Sequence, residues 1–476
     1  SYLKHNLFYF TDKRSHVPLA ILQCSNIANG KTNGLFLFES TTFYDHFNKR
    51  YAFKMLNQLK SCLNPKPKVN DNLCINDIFK PIYSVITFLG LFPYSVKFQQ
   101  NKTIYRILRK SIYVNTIYGV SVVLTIYVFL VLHIREVFLS SDSSPVIDVL
   151  LTKINYVIEI IIVIIFIIVT YVNAFLNRHK YVKMLNIIMS TWNDLSKHYK
   201  NVGDLKRIYY KVHLLLKCLF LVILIQCCLN FLKGESLWRM ILMYISFNSA
   251  QTLQFIMILF YYVTIMMLII LLSNLEKQIT QLHNKTNEDK CFVQMKAQTL
   301  TVKQIELLYN KAFDAKSEIN KIFQYPLLVC IFHCFYGIVN EALIMYQGLV
   351  VKKCTTVYEI FNCSFWISFH LLKIFLLASS GHALKMKVSV RKIGHALLDI
   401  PTAGHDGRRY MEVQHFTSVI TCKNIVIVLF DCISLDATLM YNVSINIIRA
   451  IFLNNCLMRP YTRHQIILTL RILGTF

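Results

Sequence analysis

Between Ser111 and Leu453 the chain alternates seven long apolar runs with stretches in which polar and apolar positions mix. A helix needs about 20 apolar residues, at about 1.5 Å rise each, to cross about 30 Å of hydrocarbon. The pattern predicts spans over 111–134, 150–175, 210–232, within 240–272, and over 324–347, 361–380 and 425–453. The core of the second, Ile160–Val169, is nearly all β-branched. The fourth run is too long for one crossing, so its end is expected to project beyond the bilayer. Glu306–Phe323 places Leu307, Leu308, Ala312, Phe313, Ile319 and Ile322 at amphipathic helical spacing with charges between them. The expectation is that the fourth, fifth and sixth helices continue into a packed cytoplasmic collar, the alternative being a helix lying on the inner leaflet. The predicted class is an all-α membrane protein with seven transmembrane helices.

Charge then orients the chain. Lys97, Lys102, Arg106, Arg109 and Lys110 precede the first span. Seven Lys and Arg lie from Arg178 to Arg207, eight Lys from Lys277 to Lys321, and seven more from Lys385 to Lys423. The alternate loops hold only Arg135, then Lys233 and Arg239, then Lys352 and Lys353. Positive charge stays on the cytoplasmic side, which predicts a cytoplasmic N-terminus and an extracellular C-terminus. This is the reverse of a G-protein-coupled receptor.

Composition narrows the class further. With 55% hydrophobic residues, 16% charged residues and a mean hydropathy of +0.45, a chain of 476 residues could not hide its apolar surface in one soluble core. The 51 Lys+Arg against 25 Asp+Glu are interleaved with the apolar runs and form no continuous basic face. They read as topology determinants, and no nucleic-acid partner is expected. Fourteen cysteines contain no C-x-x-C pair and read as small buried hydrophobes, with a Cys354–Cys363 bridge left open. Asn362-Cys363-Ser364 is a glycosylation sequon close to the membrane, whereas those at Asn101 and Asn284 fall on the cytoplasmic side. There is no nucleotide loop, metal-ligand spacing or nucleophile elbow, so neither an enzyme nor a cofactor is expected. Residues 1–76 form an N-terminal cytoplasmic region; its start at Ser1 rather than Met, with no cleavable signal, leaves it open to being incomplete.

Two stretches carry a resemblance. Asp77–Val96 reads DIFKPIYSVITFLGLFPYSV, an apolar run with an early proline that closes on Gly90-Leu91-Phe92-Pro93. Val413–Met440 reads VQHFTSVITCKNIVIVLFDCISLDATLM, with Leu435-Asp436 opening the last span. With the seven spans, the internal N-terminus and the long second and third internal loops, the chain resembles an insect gustatory receptor over roughly 77–448. Nothing marks the sugar or carbon-dioxide branches, so the bitter-type branch is the expectation. The family closes its last helix with Thr-Tyr, five apolar residues and Gln-Phe, whereas this chain reads RAIFLNNCL from Arg449, then Arg459, Pro460 and a basic tail. Arg449 would cost about 2.5–3.5 kcal/mol within a span. Agreement ends after Ile448, which makes 449–476 an atypical tail and an altered final coding segment the expectation.

The resemblance implies a ligand-gated non-selective cation channel in the plasma membrane, a tetramer or a heteromer with related receptors, with the seventh helix around the pore. It also implies a small-molecule tastant in the outer half of the bundle. Independently of it, polar residues in apolar runs need partners or a water-filled cavity. Those predicted in outer halves are Tyr156 and Glu159, Gln226 and Asn230, Gln251 and Gln254 with Phe255, Tyr336, Asn340 and Glu341, and Trp366, Phe369 and His370. Aromatic rings offer stacking area, and amides and carboxylates fix orientation. Each alone also reads as interhelical packing or an interfacial anchor. Lys373 is a candidate ion-pair partner for Glu159 or Glu341. For the pore, Tyr441, Asn442, Ser444 and Asn446 make the seventh span partly polar, with Asn442, Asn446 and Arg449 on one face. The rivals are an insect odorant receptor and a multispanning transporter, although the internal repeats typical of transporters are not visible.

Overall fold

The computed structural model describes residues 7–11, 18–22, 73, 75–91, 112–139, 150–196, 202–232, 236–288, 300–352, 356–387, 397, 407–423, 427–430, 433–436, 438–439, 441–442 and 445. The chain divides into two units, Ser1–Phe53 and Lys54–Phe476. In the first, β1 (Leu7–Thr11) and β2 (Pro18–Leu22) pair antiparallel, Leu7 opposite Leu22 and Thr11 opposite Pro18.

The second unit is a helical bundle. Its helices are α1 (Ile75–Phe88), α2 (Ile112–Leu139), α3 (Leu150–Leu176), α4 (Arg178–Ser196) and α5 (Val202–Leu232). Then come α6 (Leu237–Met243), a π-helical turn (Tyr244–Asn248), α7 (Ser249–Glu288), α8 (Val302–Tyr346), α9 (Val357–Lys387) and α10 (Gly407–Cys422). Among the described residues, six stretches are long and apolar enough to cross a membrane, one for each of the first six predicted spans. The span through α6 and α7 is 89% buried, whereas that on α2 is 22% buried. The first is therefore the axis of the bundle and the second its rim. Ile117, Val120, Leu124, Val128 and Val131 on α2 are exposed along one face, as a helix solvated by lipid requires.

Helix α1 ends where the sequence punctuates it. Leu91 N–H bonds to Ile86 O at 3.1 Å and Gly90 N–H to Thr87 O at 3.0 Å, a Schellman cap. Gly90 holds φ 71°, and a Cβ there would meet Gly119 Cα at 3.0 Å. Tyr118 donates to Phe88 O at 2.7 Å, and Tyr171 donates to Leu89 O, so the cap is pinned by α2 and α3.

The amphipathic segment Glu306–Phe323 is continuous with the fifth span. Thr301 and Gln304 form a reciprocal capping box, and α8 runs unbroken from there to Tyr346. Leu308, Ala312, Ile319 and Ile322 are buried, which excludes a helix lying on a lipid surface; Leu307 is exposed, contrary to the expectation. The collar is tied by Lys183–Glu318 at 2.8 Å, Lys311–Asp194 at 2.9 Å and Lys423 Nζ to Asn310 Oδ1 at 2.7 Å. The hydrogen bond that Lys183 donates to the Glu318 carboxylate raises the Lys183 ammonium pKa above its ordinary value. At the opposite end of the bundle Arg239 reaches Glu136 at 3.3 Å.

The seventh span departs from its predicted start at 425. Val428–Leu429 (β3) pairs antiparallel with Ile433–Ser434 (β4) through a turn at Phe430, φ 50°, and helical residues follow from Thr438. A short apolar run cannot be assigned to helix or strand by periodicity. The Leu435 carbonyl rests against Gly381 of α9, where a Cβ would lie 1.4 Å from the oxygen. Ser444, Asn446, Arg449, the tail 449–476, Cys354, Asn101 and Phe92-Pro93 lie outside the described residues, as does the side chain of Asn284.

Candidate functional site

Four of the predicted spans, α3, α7, α8 and α9, pack on one another around a polar centre. Each contributes residues from the end opposite the collar: α8 starts in the collar, and α3, α7 and α9 all run antiparallel to it. Lys373 of α9 is 0% exposed. Its ammonium donates to Gln251 Oε1 and, at 3.1 Å, to Gln254 Oε1, both on α7. It also lies 4.4 Å above the Phe369 ring, a cation–π contact strengthened by burial. Phe369 stacks on Phe255 at 5.7 Å, and Trp366 stands edge-on to Phe369 at 6.0 Å.

Gln254 continues the network to α8. Its side-chain amide also hydrogen-bonds to His333 Nδ1, which lies 2.9 Å from Nε2 and 3.1 Å from Oε1, the direction following the histidine tautomer. His333 meets His370 with ring centroids 5.5 Å apart. The His370 ring fits only because residue 337 is glycine: a Cβ there would stand 2.7 Å from His370 Nε2. Small residues permit such close approach between membrane helices.

The α3 side joins through Asn340, whose Nδ2 donates to Glu159 at 3.1 Å. Tyr336 donates to Asn155 O at 3.1 Å. Tyr156 hydrogen-bonds to His133 of α2 and stacks on Phe247 of the π-helical turn, centroids 5.9 Å apart. Glu341 is hydrogen-bonded to the Cys363 thiol, a cysteine that is free.

The structure thus brings together Glu159, Gln251, Gln254, Tyr336, Asn340, Trp366 and His370, with Tyr156 and Glu341 flanking them. Gln226 pairs with Asn230 along α5 at 3.4 Å, and no hydrogen bond among the described residues joins them to the others. Lys373 takes glutamine partners rather than Glu159 or Glu341. Tyr441 and Asn442 are helical and exposed. His133, Asn155 and His333 belong to the network but carry no signal in the sequence beyond a polar residue in an apolar run.

Such an arrangement can hold and orient a small molecule between rings and amides. Among the described residues there is no group of three or more His, Cys, Asp or Glu able to hold a metal ion.

No curated protein matches the sequence. Among solved structures, the fold is similar to that of the insect olfactory receptor OR5 from Machilis hrabei, with a TM-score of 0.57 and 11% identity over 79% of this chain and 97% of that one. The same receptor in complex with eugenol gives a TM-score of 0.57 and 10% identity over 79% and 96%. At this identity the likeness is one of fold alone. Residues 79–449, most of the chain and all six described spans, match the family model for the 7tm chemosensory receptors, and the chain belongs to that family.

Proposed function

We propose that this chain is a gustatory receptor of the bitter-type branch, a ligand-gated non-selective cation channel of the plasma membrane. The observation that supports it best is the buried cluster of amide, imidazole, carboxylate and aromatic groups drawn from α3, α7, α8 and α9. Isolated polar residues in spans are costly, and a set at one depth on four helices is a ligand-site pattern. Tyr156, Glu159, Gln251, Gln254, Tyr336, Asn340, Glu341, Trp366 and His370 are its proposed lining, with Gln226 at its edge. The OR5 complex with eugenol adds that a small molecule is bound by a receptor of this fold. In this reading the N-terminus is cytoplasmic, 77–448 form the channel, and the last helix lines the pore through Tyr441, Asn442 and Asn446. The assembly is a homotetramer or a heteromer with related receptors.

The test is calcium imaging and whole-cell recording in cells expressing the chain, with bitter plant compounds and sugars applied. Cation currents with a bitter compound and none with sugars are expected. Silence to every compound, with surface expression shown by labelling, contradicts the reading. Responses that require a co-receptor would move the chain to the odorant branch.

A further inference from the structure

We propose that the site takes a small aromatic organic acid, its carboxylate paired with Lys373. This rests on reading the cluster as the ligand site and adds the class of ligand. The ammonium of Lys373 is wholly buried, yet its partners are two amide oxygens and one ring, all neutral. The carboxylates of the neighbouring helices are engaged elsewhere, Glu159 by Asn340 and Glu341 by Cys363. Among the described residues no carboxylate is hydrogen-bonded to Lys373. A buried cation without a contacting counter-charge is costly in low dielectric, and pairing relieves that cost.

The donors point the same way. An ammonium has three N–H groups, and the two glutamines use two of them. His333 Nδ1 is taken up by the Gln254 side chain, whereas His333 Nε2 has no hydrogen-bond partner among the described residues. His370 Nδ1 is likewise without a partner. The third Lys373 N–H and the unpartnered His333 Nε2, a donor in one of the two histidine tautomers, lie on adjoining helices and suit a carboxylate with two oxygens. Trp366, Phe369 and Phe255 form an aromatic wall beside them, suited to a flat ring.

The experiment is equilibrium binding to the purified full-length receptor in nanodiscs, using cinnamic and benzoic acids and their methyl esters as probes. Ester and acid share shape and ring and differ in charge. The expected result is that each acid binds at least about tenfold tighter than its ester, a difference of about 1.4 kcal/mol. Lys373→Met is expected to abolish that preference and Lys373→Arg to keep it. Esters binding as tightly as acids, binding of no probe, or an acid preference surviving Lys373→Met overturns the proposal. The wild-type comparison stands even where a variant fails to fold. Acid binding without currents would overturn the channel reading and leave this one intact, and currents opened by neutral compounds alone would do the reverse.

Discussion

Pro326 removes a backbone donor from the middle of α8, which leaves the carbonyl four residues earlier, that of Ile322, without its helical partner. Asn173 of α3 supplies the replacement, its Nδ2 donating to Ile322 O at 2.8 Å, and Asn177 in turn donates to Asn173 Oδ1 at 2.7 Å. A backbone group in an apolar bundle must be satisfied locally or by a neighbouring helix. Asn173→Ala is therefore expected to destabilise the receptor by about 1–3 kcal/mol, read as a lower midpoint of thermal unfolding. In a Pro326→Ala background, where the helix supplies its own N–H, the same substitution should cost clearly less. An equal loss in both backgrounds contradicts the pairing. Gly337 gives a second case. Gly337→Ala drives a methyl group against the His370 ring and is expected to cost about 1–3 kcal/mol and to weaken ligand response, checked by thermal unfolding together with dose–response recording. At this scale the sequence is only partly legible. Gln251, Gln254 and Asn340 stand out as amides within apolar runs. His333 does not, because its partner is 79 positions away and a lone histidine in such a run reads equally as packing. Asn173 was equally silent, since its partner is a main-chain carbonyl 149 positions distant.

Helices α8 and α9 act as the platform on which the last segment rests. The hairpin of β3 and β4 sits on α8, and the Leu435 carbonyl on Gly381 of α9. Asp436 then accepts from Lys385 at 2.7 Å and from the Thr438 amide at 2.9 Å. Burial alone would raise the Asp436 carboxyl pKa, but the hydrogen bonds from Lys385, Thr438 and Ser434 outweigh it and hold it well below the usual carboxylate range. A depressed carboxylate stabilises the fold above its unfolded value, near about 3.9, and loses that contribution as pH falls through the folded value. The latch is therefore closed throughout neutral and mildly acidic pH. Asp436→Asn is expected to release the last segment and raise basal current, and Asp436→Lys combined with Lys385→Asp to restore part of the wild-type level; whole-cell recording without ligand checks both. Unchanged basal current in Asp436→Asn would remove the latch from gating. The element boundaries explain what the sequence hides here. Leu435-Asp436 is legible as a punctuation mark, but the preceding Val428–Leu429 and Ile433–Ser434 are too short for period to separate strand from helix. The amphipathic run before the fifth span is long enough, and its period does identify a buried helical face.

Across the whole molecule, the long apolar stretches of the sequence become a bundle with one buried axial helix and a lipid-solvated rim. The class and the first six spans follow from run length and hydropathy alone, whereas which span is central does not, since α2 and α7 are both strongly apolar. Only packing separates them. If the chain is the channel proposed above, its ligand site and last segment are joined through α8 and α9. Recording from the purified chain in a planar bilayer, under a sodium chloride gradient, tests that claim most directly, with the compounds active in cells applied. Ligand-dependent unitary currents whose reversal potential follows the sodium gradient are expected. A bilayer that stays silent with ligand present, or currents that reverse with chloride, would contradict it.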